Sequence, residues 1–536
     1  MSADSSSKPR IHVLCFDGTS SEYSAENTNV VKFFSLLKKD NFGEQLCYYQ
    51  AGIGTFFAPG VVSPLFEWGA KMLDEAFAWY LNAHVMDGYR FLMQNYCVGD
   101  KICLFGFSRG AYTARALAGM LYKVGLLPRD NEEQIPFAYK LYIREDDEGI
   151  TLSAGFKQTF CQDVRVEFLG VWDTVASVGV LMSKSLPFTM NNSSIKTFRH
   201  ALSLDEHRAR YKPNLWHWIP PDDDVRSKML TAEANAKANG GFPSSSPQKK
   251  RKGLFSRSIH VTRKMRRSSR HSEEKQPIKE HVQEAEASSS SGSGSDDPQS
   301  PVQAQPAPQF PSSDDQTDVL EVWFTGCHAD VGGGNVSNDT KQSLANIPLR
   351  WMVRQVMLSQ CGIQFDQTAL TRLNIPLVDE MFTKEPVPEP VRLVGEKIDP
   401  VDLGINGAKT EVTDKGKEVE KRSVTGQVDV PATPTPVPVP SPTQLSLDQL
   451  DSTTPLHDAL VSQPLWWLLE ILPLKYQYQD SKGIWQTSWA WNLGRGRAIV
   501  QSGPKFHNTV KDRMEDKELG YVPKARWDKG TEVYVG

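Results

Sequence analysis

KICLFGFSRGAYTARALAGMLYKV, residues 101–124, decides the fold. Lys101 to Phe105 is a short apolar run with the length of a buried strand. Arg109 to Val124 is rich in alanine and predicts a helix. Between them stands Gly106-x-Ser108-x-Gly110. A strand that turns into a helix this tightly tolerates only small residues two places before and after its central residue, and it projects that residue's side chain above the sheet edge. A bare GxSxG is weak, and its bland reading is a tight turn without chemistry. The strand before it and the helix after it, with Ala111, Ala114, Ala116, Ala118 and Gly119, favour Ser108 as a nucleophile.

Outward from this stretch, strands and helices alternate. Ile11 to Phe16 reads as a buried strand ending in Asp17-Gly18-Thr19, and a helix follows Asn27-Thr28-Asn29, where Asn or Thr can cap it. Residues 65–95 have a helical pattern, Val164 to Trp172 is a third strand, LEVWFTG near Val319 a fourth, and 344–361 a further helix. The alternation predicts an α/β protein of the α/β-hydrolase type, a mostly parallel sheet flanked by helices. The expected organisation is a disordered N-terminus (1–10), the first part of the core (11–218) and a disordered charged insertion (219–317). The second part of the core (318–385), a Pro-rich disordered linker (386–450) and an aromatic-rich C-terminal subdomain (451–536) follow. The insertion holds SSSSGSGS and PVQAQPAPQFP, the linker ATPTPVPVPSPT; neither can bury enough apolar area to offset chain entropy.

Composition agrees with a folded core carrying polar segments: the hydrophobic share is 39 %, low for a compact domain, while Gly and Pro number 38 and 34. A net charge of −4 gives no basic character of the kind nucleic acid selects, so no nucleic-acid partner is expected. The seven cysteines are odd in number, lack a CxxC pair and lie partly in apolar runs, which favours free thiols in a reducing compartment over disulfides or zinc. The polar start MSADSSSKPR has no signal-peptide core, no run reaches 18 apolar residues, and Ser2 does not invite myristoylation. A cytoplasmic protein is expected, with a peripheral membrane or a nuclear location as variants.

A serine hydroxyl needs a base, and the base needs an orienting acid. His328 is the best base, following the strand Leu320 to Thr325 in Gly326-Cys327-His328-Ala329-Asp330-Val331-Gly332-Gly333-Gly334. His260, His271 and His281 lie in the insertion; His200, His207 and His217 sit in helical or polar surroundings; His507 belongs to the tail. Asp173, at the end of the strand Val164 to Trp172, is the favoured acid. Asp330 competes, although a carboxylate two residues from the His more often orders the Gly-rich loop. The oxyanion hole should use the backbone N–H of Arg109 and a second N–H from Gly18 or Thr19, with Asp17, Gly106, Gly110 and Asp330 supporting the loops. No metal or organic cofactor is expected.

FDGT at 16–19, NTNV at 27–30, GFSRGAYTAR at 106–115, GVWDTVASVG at 170–179, HALSLDE at 200–206, WFTGCHADVGGG at 323–334 and IPLRW at 347–351 occur in one order. In these motifs the chain resembles the fungal and bacterial domain of unknown function that includes the catalytic domain of type VI secretion phospholipase effectors. The resemblance covers roughly 11–218 and 319–385. It implies an α/β-hydrolase core and, in the effector branch, phospholipase A activity on glycerophospholipids. It supports Ser108 as nucleophile and His328 as base, and Asp173 less firmly.

Two segments bear on lipid. Residues 464–474, PLWWLLEILPL, are too short to span a bilayer; they read as a buried helix, or as an interfacial segment where Trp is favoured. The basic segment 249–271 interleaves apolar residues with its charges and could contact anionic lipid; Lys249 to Lys252 resembles a nuclear-localisation run, and a solvated segment is the bland reading. The reading that follows is a serine hydrolase of carboxylic esters, of phospholipase A type, with an ester or phospholipid as substrate. The alternative is an inert α/β-hydrolase-fold interaction module. A phosphatase of the DxDGT type is excluded, because Cys15 occupies the place of its nucleophilic Asp.

Overall fold

The computed structural model describes residues 9–18, 21, 23–52, 81–175, 186–189, 192–217, 224–241, 316–375, 442–479 and 485–536. Its frame is a parallel sheet. The strands are β1 (Ile11–Phe16), β2 (Gln45–Gln50), β3 (Lys101–Phe107), β4 (Val166–Trp172), β5 (Ile195–Ser203), β6 (Asp318–Phe324), β9 (Lys505–His507) and β10 (Val533–Val535), in the order β10-β9-β6-β5-β4-β3-β1-β2. Every pairing among them is parallel. A separate antiparallel pair joins β7 (Leu474–Gln479) to β8 (Trp485–Ala490).

A parallel sheet covered on both faces needs strands that are apolar throughout. In β1, Leu14 and Phe16 face one core cluster, while Ile11, Val13 and Cys15 face the other. Likewise Ile102 and Leu104 of β3 part from Cys103, Phe105 and Phe107. The first cluster packs under the helix at 81–95 (α2), α3 (Ser108–Val124) and α4 (Ile135–Tyr142), with α5 (Asp147–Phe160) beside them. The second packs under α1 (Asn29–Leu36) and α8 (Asn346–Leu358). Thr28 caps α1, its hydroxyl accepting from the Val31 amide, so the expected Asn/Thr cap is this Thr. Ala-rich α3 lies close enough to the sheet that fifteen of its seventeen residues are buried.

The order of strands reverses at β1: the chain runs outward to β2, then returns to lay β3 on β1's other side. Such a reversal opens a crevice at the carboxyl ends of the two strands. Register brings those ends level, with Phe16 opposite Gly106, Phe107 opposite Trp172, Trp172 opposite Ala201 and Ser203 opposite Phe324.

Several expected boundaries shift. The insertion expected from 219 contains α6 (Asp224–Ala238), docked on α5 through Lys228–Asp147 and Lys157–Glu233 ion pairs and the burial of Met229. The linker expected to reach 450 ends in α10 (Pro442–Ser452), where buried Asp448 and Asp451 clasp Arg350 of α8 at 2.5 Å. The stretch 451–536, expected as a subdomain, instead supplies β9 and β10 to the main sheet. The 65–95 helix can be compared only over 81–95. The basic segment 249–271, the low-complexity runs and the Pro-rich run up to residue 441 lie outside the described residues, as do His260, His271 and His281. Among the described residues no helix is long and apolar enough to cross a membrane.

Close approach of α3 to β1 generates a stability prediction. A Cβ at Gly110 would stand 2.2 Å from the Phe16 carbonyl oxygen and 2.4 Å from that of Asp17. Gly110→Ala should therefore destabilise the protein by about 1–3 kcal/mol through overpacking, read as a lower denaturant midpoint with unchanged slope; a wild-type midpoint would mean that α3 can retreat from the strand at no cost.

Candidate active site

Ser108 is the first residue of α3 and follows the last residue of β3 directly. Its φ is 58°, a left-handed conformation that L side chains enter only when the surroundings enforce it. The enforcement is visible on both sides. A Cβ at Gly106 would lie 2.5 Å from the Gly110 carbonyl oxygen, and Gly110 is blocked by β1 as above. The GxSxG spacing is thus a steric consequence of turning a strand into a helix against a neighbouring strand. Asp173, the residue after β4, also has a positive φ, 39°. Two non-glycine residues are held in this region at adjacent strand ends.

His328 arrives from the far side. The run expected as a Gly-rich loop is a short helix, α7 (His328–Gly332), with Cys327 at its N-cap. Asp330 closes the turn by accepting the Cys327 amide at 2.9 Å. The imidazole lies 4.6 Å from the ring of Phe107, one residue before Ser108, and 4.8 Å from the ring of Tyr211. Its Nδ1 meets Asp173 Oδ2 at 2.5 Å. With a carboxylate as partner Nδ1 is the protonated nitrogen, which leaves Nε2 with the lone pair. Burial pushes the proton affinity of His328 below that of a free imidazole, against the opposing pull of Asp173.

Asp173 is fully buried and surrounded. Its Oδ1 accepts from Arg497 Nη1 at 2.6 Å and from the Ser203 amide at 2.9 Å; its Oδ2 accepts from Arg497 Nη2 at 2.9 Å as well as from His328. Burial alone would raise this carboxyl, but Arg497 and His328 outweigh it and hold the group well below the usual carboxylate range. Asp173 is therefore an anion throughout the physiological range.

Asp330 is engaged elsewhere. Besides the Cys327 amide it accepts from Asn335 Nδ2 at 2.7 Å and pairs with His457 Nδ1 at 2.8 Å, binding α7 to the segment after α10. Asp17 accepts from the hydroxyls of Thr28 and Tyr49, both at 2.8 Å, and from the Gly18 amide at 2.7 Å, so it orders the loop after β1. Gly18 thus has its amide on Asp17 in this state, Arg109 is the second residue of α3 beside Ser108, and Thr19 lies outside the described residues.

The competing histidines have other occupations. His200, expected in helical or polar surroundings, sits in β5 between the Thr174 amide and Glu321. His207 pairs with Asp458, and His507 stacks on Phe324.

Three groups around the His328–Asp173 pair, Glu206, Arg208 and Arg497, were not singled out in the sequence. Glu206, buried, accepts the His328 amide at 3.2 Å and pairs with Arg208 at 2.8 Å. Arg208 lies 3.5 Å above the Tyr211 ring and 4.9 Å from that of Trp466. Arg497, 324 residues after Asp173, has no local pattern that would announce it. Glu206 alone stood inside a quoted motif, HALSLDE.

Trp466 introduces the apolar segment, which the structure inverts relative to a buried helix. Glu470 points inward, its carboxylate taking the amides of Ala209 (2.5 Å) and Gly494 (2.9 Å) and Asn492 Nδ2 (2.6 Å). Val461, Leu465, Trp467, Leu468, Ile471 and Leu472 are exposed, and so are Trp489 in β8 and Trp491 just after it. The run is too short to enclose itself, and its one acid is the group with partners inside.

At 28 % identity over 566 residues the chain is similar to the uncharacterised protein YEL023C of Saccharomyces cerevisiae, covering 93 % of this chain and 78 % of that one. Among solved structures it is similar to an uncharacterised protein from Pseudomonas aeruginosa (15 % identity, 68 % of this chain and 49 % of that one, TM-score 0.31). A second is the Tle1 effector bound to the VgrG spike of the type 6 secretion system (16 %, 40 % and 48 %, TM-score 0.23). The chain spans about half the length of these two structures. The family model for the catalytic domain of Tle1-like type VI secretion phospholipase effectors matches residues 10–355, most of the sheet and the segments bearing Ser108, Asp173 and His328, and the chain belongs to that family.

Proposed function

We propose that this protein is a serine ester hydrolase of phospholipase A type, with Ser108, His328 and Asp173 as its triad. The observation that carries the reading is the His328 Nδ1–Asp173 Oδ2 contact of 2.5 Å at the sheet edge where Ser108 begins α3. His328 Nε2 accepts the Ser108 proton as Oγ attacks the ester carbonyl carbon. The tetrahedral oxyanion is met by the Arg109 amide and by a second amide from the loop after β1, Gly18 or Thr19; for Gly18 this requires release from Asp17. Collapse breaks the ester bond, the leaving alkoxide takes the proton from His328, and the acyl group stays on Ser108. Water then attacks the acyl-enzyme, giving its proton to His328, and the carboxylic acid departs as Oγ recovers its proton.

Membership of a phospholipase effector family supports a glycerophospholipid as the ester. The exposed apolar face of 461–472 supports access to it from a lipid surface. Large uncovered apolar patches mark interaction sites, and Trp is favoured at the headgroup level. Trp466 lies 5.7 Å from Tyr211, whose ring touches His328, so this face adjoins the triad.

A fluorophosphonate probe tests the chemistry. Wild type should label, Ser108→Ala should not, and His328→Ala should label at least about a hundredfold more slowly. A folded, unlabelled wild type would leave the interaction module as the better reading. The labelling rate should rise with pH through the ionisation of His328. Because burial lowers that ionisation, the acid limb is expected below 6.5, the free-imidazole value; a limb above it would contradict a buried base. For the lipid face, Trp467→Glu with Ile471→Glu should weaken co-sedimentation with phosphatidylcholine vesicles by about tenfold or more, on the scale of burying one such side chain. Undiminished binding would place membrane contact elsewhere.

A further inference from the structure

We infer that Arg497 is a positioning residue of this active site: its guanidinium fixes the Asp173 carboxylate against His328 and lowers the pH at which the imidazole becomes a base. The inference rests on the hydrolase reading above. Asp173 lies where water cannot reach it, and an unpaired buried carboxylate would be strongly unfavourable. Arg497 answers with a two-pronged grip, one η nitrogen to each carboxylate oxygen at 2.6 and 2.9 Å. Planar, paired contacts of this kind restrict rotation as well as neutralising charge.

The guanidinium is itself immobile. It is 1 % exposed and donates to the Ser203 carbonyl at 2.9 Å and to the Tyr211 carbonyl at 2.6 and 3.1 Å. Its backbone is tied to the strap at 524–526: Arg526 N donates to the Arg497 carbonyl at 2.8 Å, and a Cβ on Gly496 would meet the Lys524 carbonyl oxygen at 1.7 Å. Tyr211 therefore touches both ends of the relay, with its ring on His328 and its carbonyl on Arg497.

Charge gives the second role. A bare carboxylate beside an imidazole favours the imidazolium and raises the pH at which the base becomes free. A guanidinium on the far side of that carboxylate cancels much of this pull. Among the described residues, the other charged groups that act on His328, Glu206 and Arg208, already pair with each other at 2.8 Å, and the Tyr211 ring packs against the imidazole. The region matched by the family model ends at 355, so this residue lies beyond it.

The test is the pH dependence of fluorophosphonate labelling of the full chain. Arg497→Gln should move the acid limb upward by about half a unit or more. Arg497→Lys keeps the charge and loses the paired grip; its limb should stay in place while its labelling slows by about tenfold, the scale of a modest misplacement. If Arg497→Gln does not fold, Arg497→Lys still decides: a wild-type labelling rate in it overturns the positioning role. An unmoved limb in a folded Arg497→Gln overturns the electrostatic one. A wild type that does not label at any pH defeats the hydrolase reading itself, and this inference with it.

Discussion

The molecule is organised around one buried charge. Asp173 directly follows a central strand of a parallel sheet and has no access to solvent, and such a group persists as an anion only if fixed donors surround it. Those donors come from three directions: the Ser203 amide at the end of the adjacent strand, His328 from the helical turn after β6, and Arg497 from the C-terminal segment. Removing any one leaves an oxygen of the carboxylate short of a partner in a place where water cannot replace it. The described C-terminal residues are thus bound to the core by electrostatics as well as by strands β9 and β10.

The same edge concentrates conformational strain. Ser108 and Asp173, at the ends of neighbouring strands, both have positive φ. Strain of this kind persists only where the surroundings over-determine the backbone. For Ser108 the cause is explicit: the turn from β3 into α3 is so tight that a Cβ on Gly106 would strike the Gly110 carbonyl, and α3 is pressed so closely onto the end of β1 that Gly110 admits no Cβ either. The reversal of strand order at β1 makes that approach useful, because it opens the sheet edge at the point where α3 begins.

What was legible in the sequence was whatever is written locally. A strand of apolar residues, two glycines around a serine and an alanine-rich helix are contiguous, and each is dictated by its neighbours in the chain; β1, β3, β4, β6 and α3 could all be read this way. Asp173 and His328 could be singled out because each lies just beyond a readable strand, and the structure pairs the two side chains. Arg497 was not singled out, since its role depends on a partner 324 positions away and nothing in GRGR at 494–497 distinguishes it from a surface arginine. The short strands β9 and β10, three residues each, are too brief to give a period. Helix α10 was hidden for a related reason: it is held by Asp448 and Asp451 on Arg350, ion pairs made across about a hundred residues of chain, while its own sequence is polar.

Arg497 also imposes an order in time. A chain is made from its N-terminus and its parts fold as they become available. Ser108, Asp173 and His328 can all be present while the counter-charge of Asp173, 169 residues after His328, does not yet exist. Until that segment docks, the carboxylate lacks the one donor that meets both its oxygens, and burying it as an anion is unfavourable unless water or a proton compensates. The full set of donors around this carboxylate can therefore be complete only after the segment bearing Arg497 has been made and docked, which ties the charge at the end of β4 to the C-terminal part of the chain.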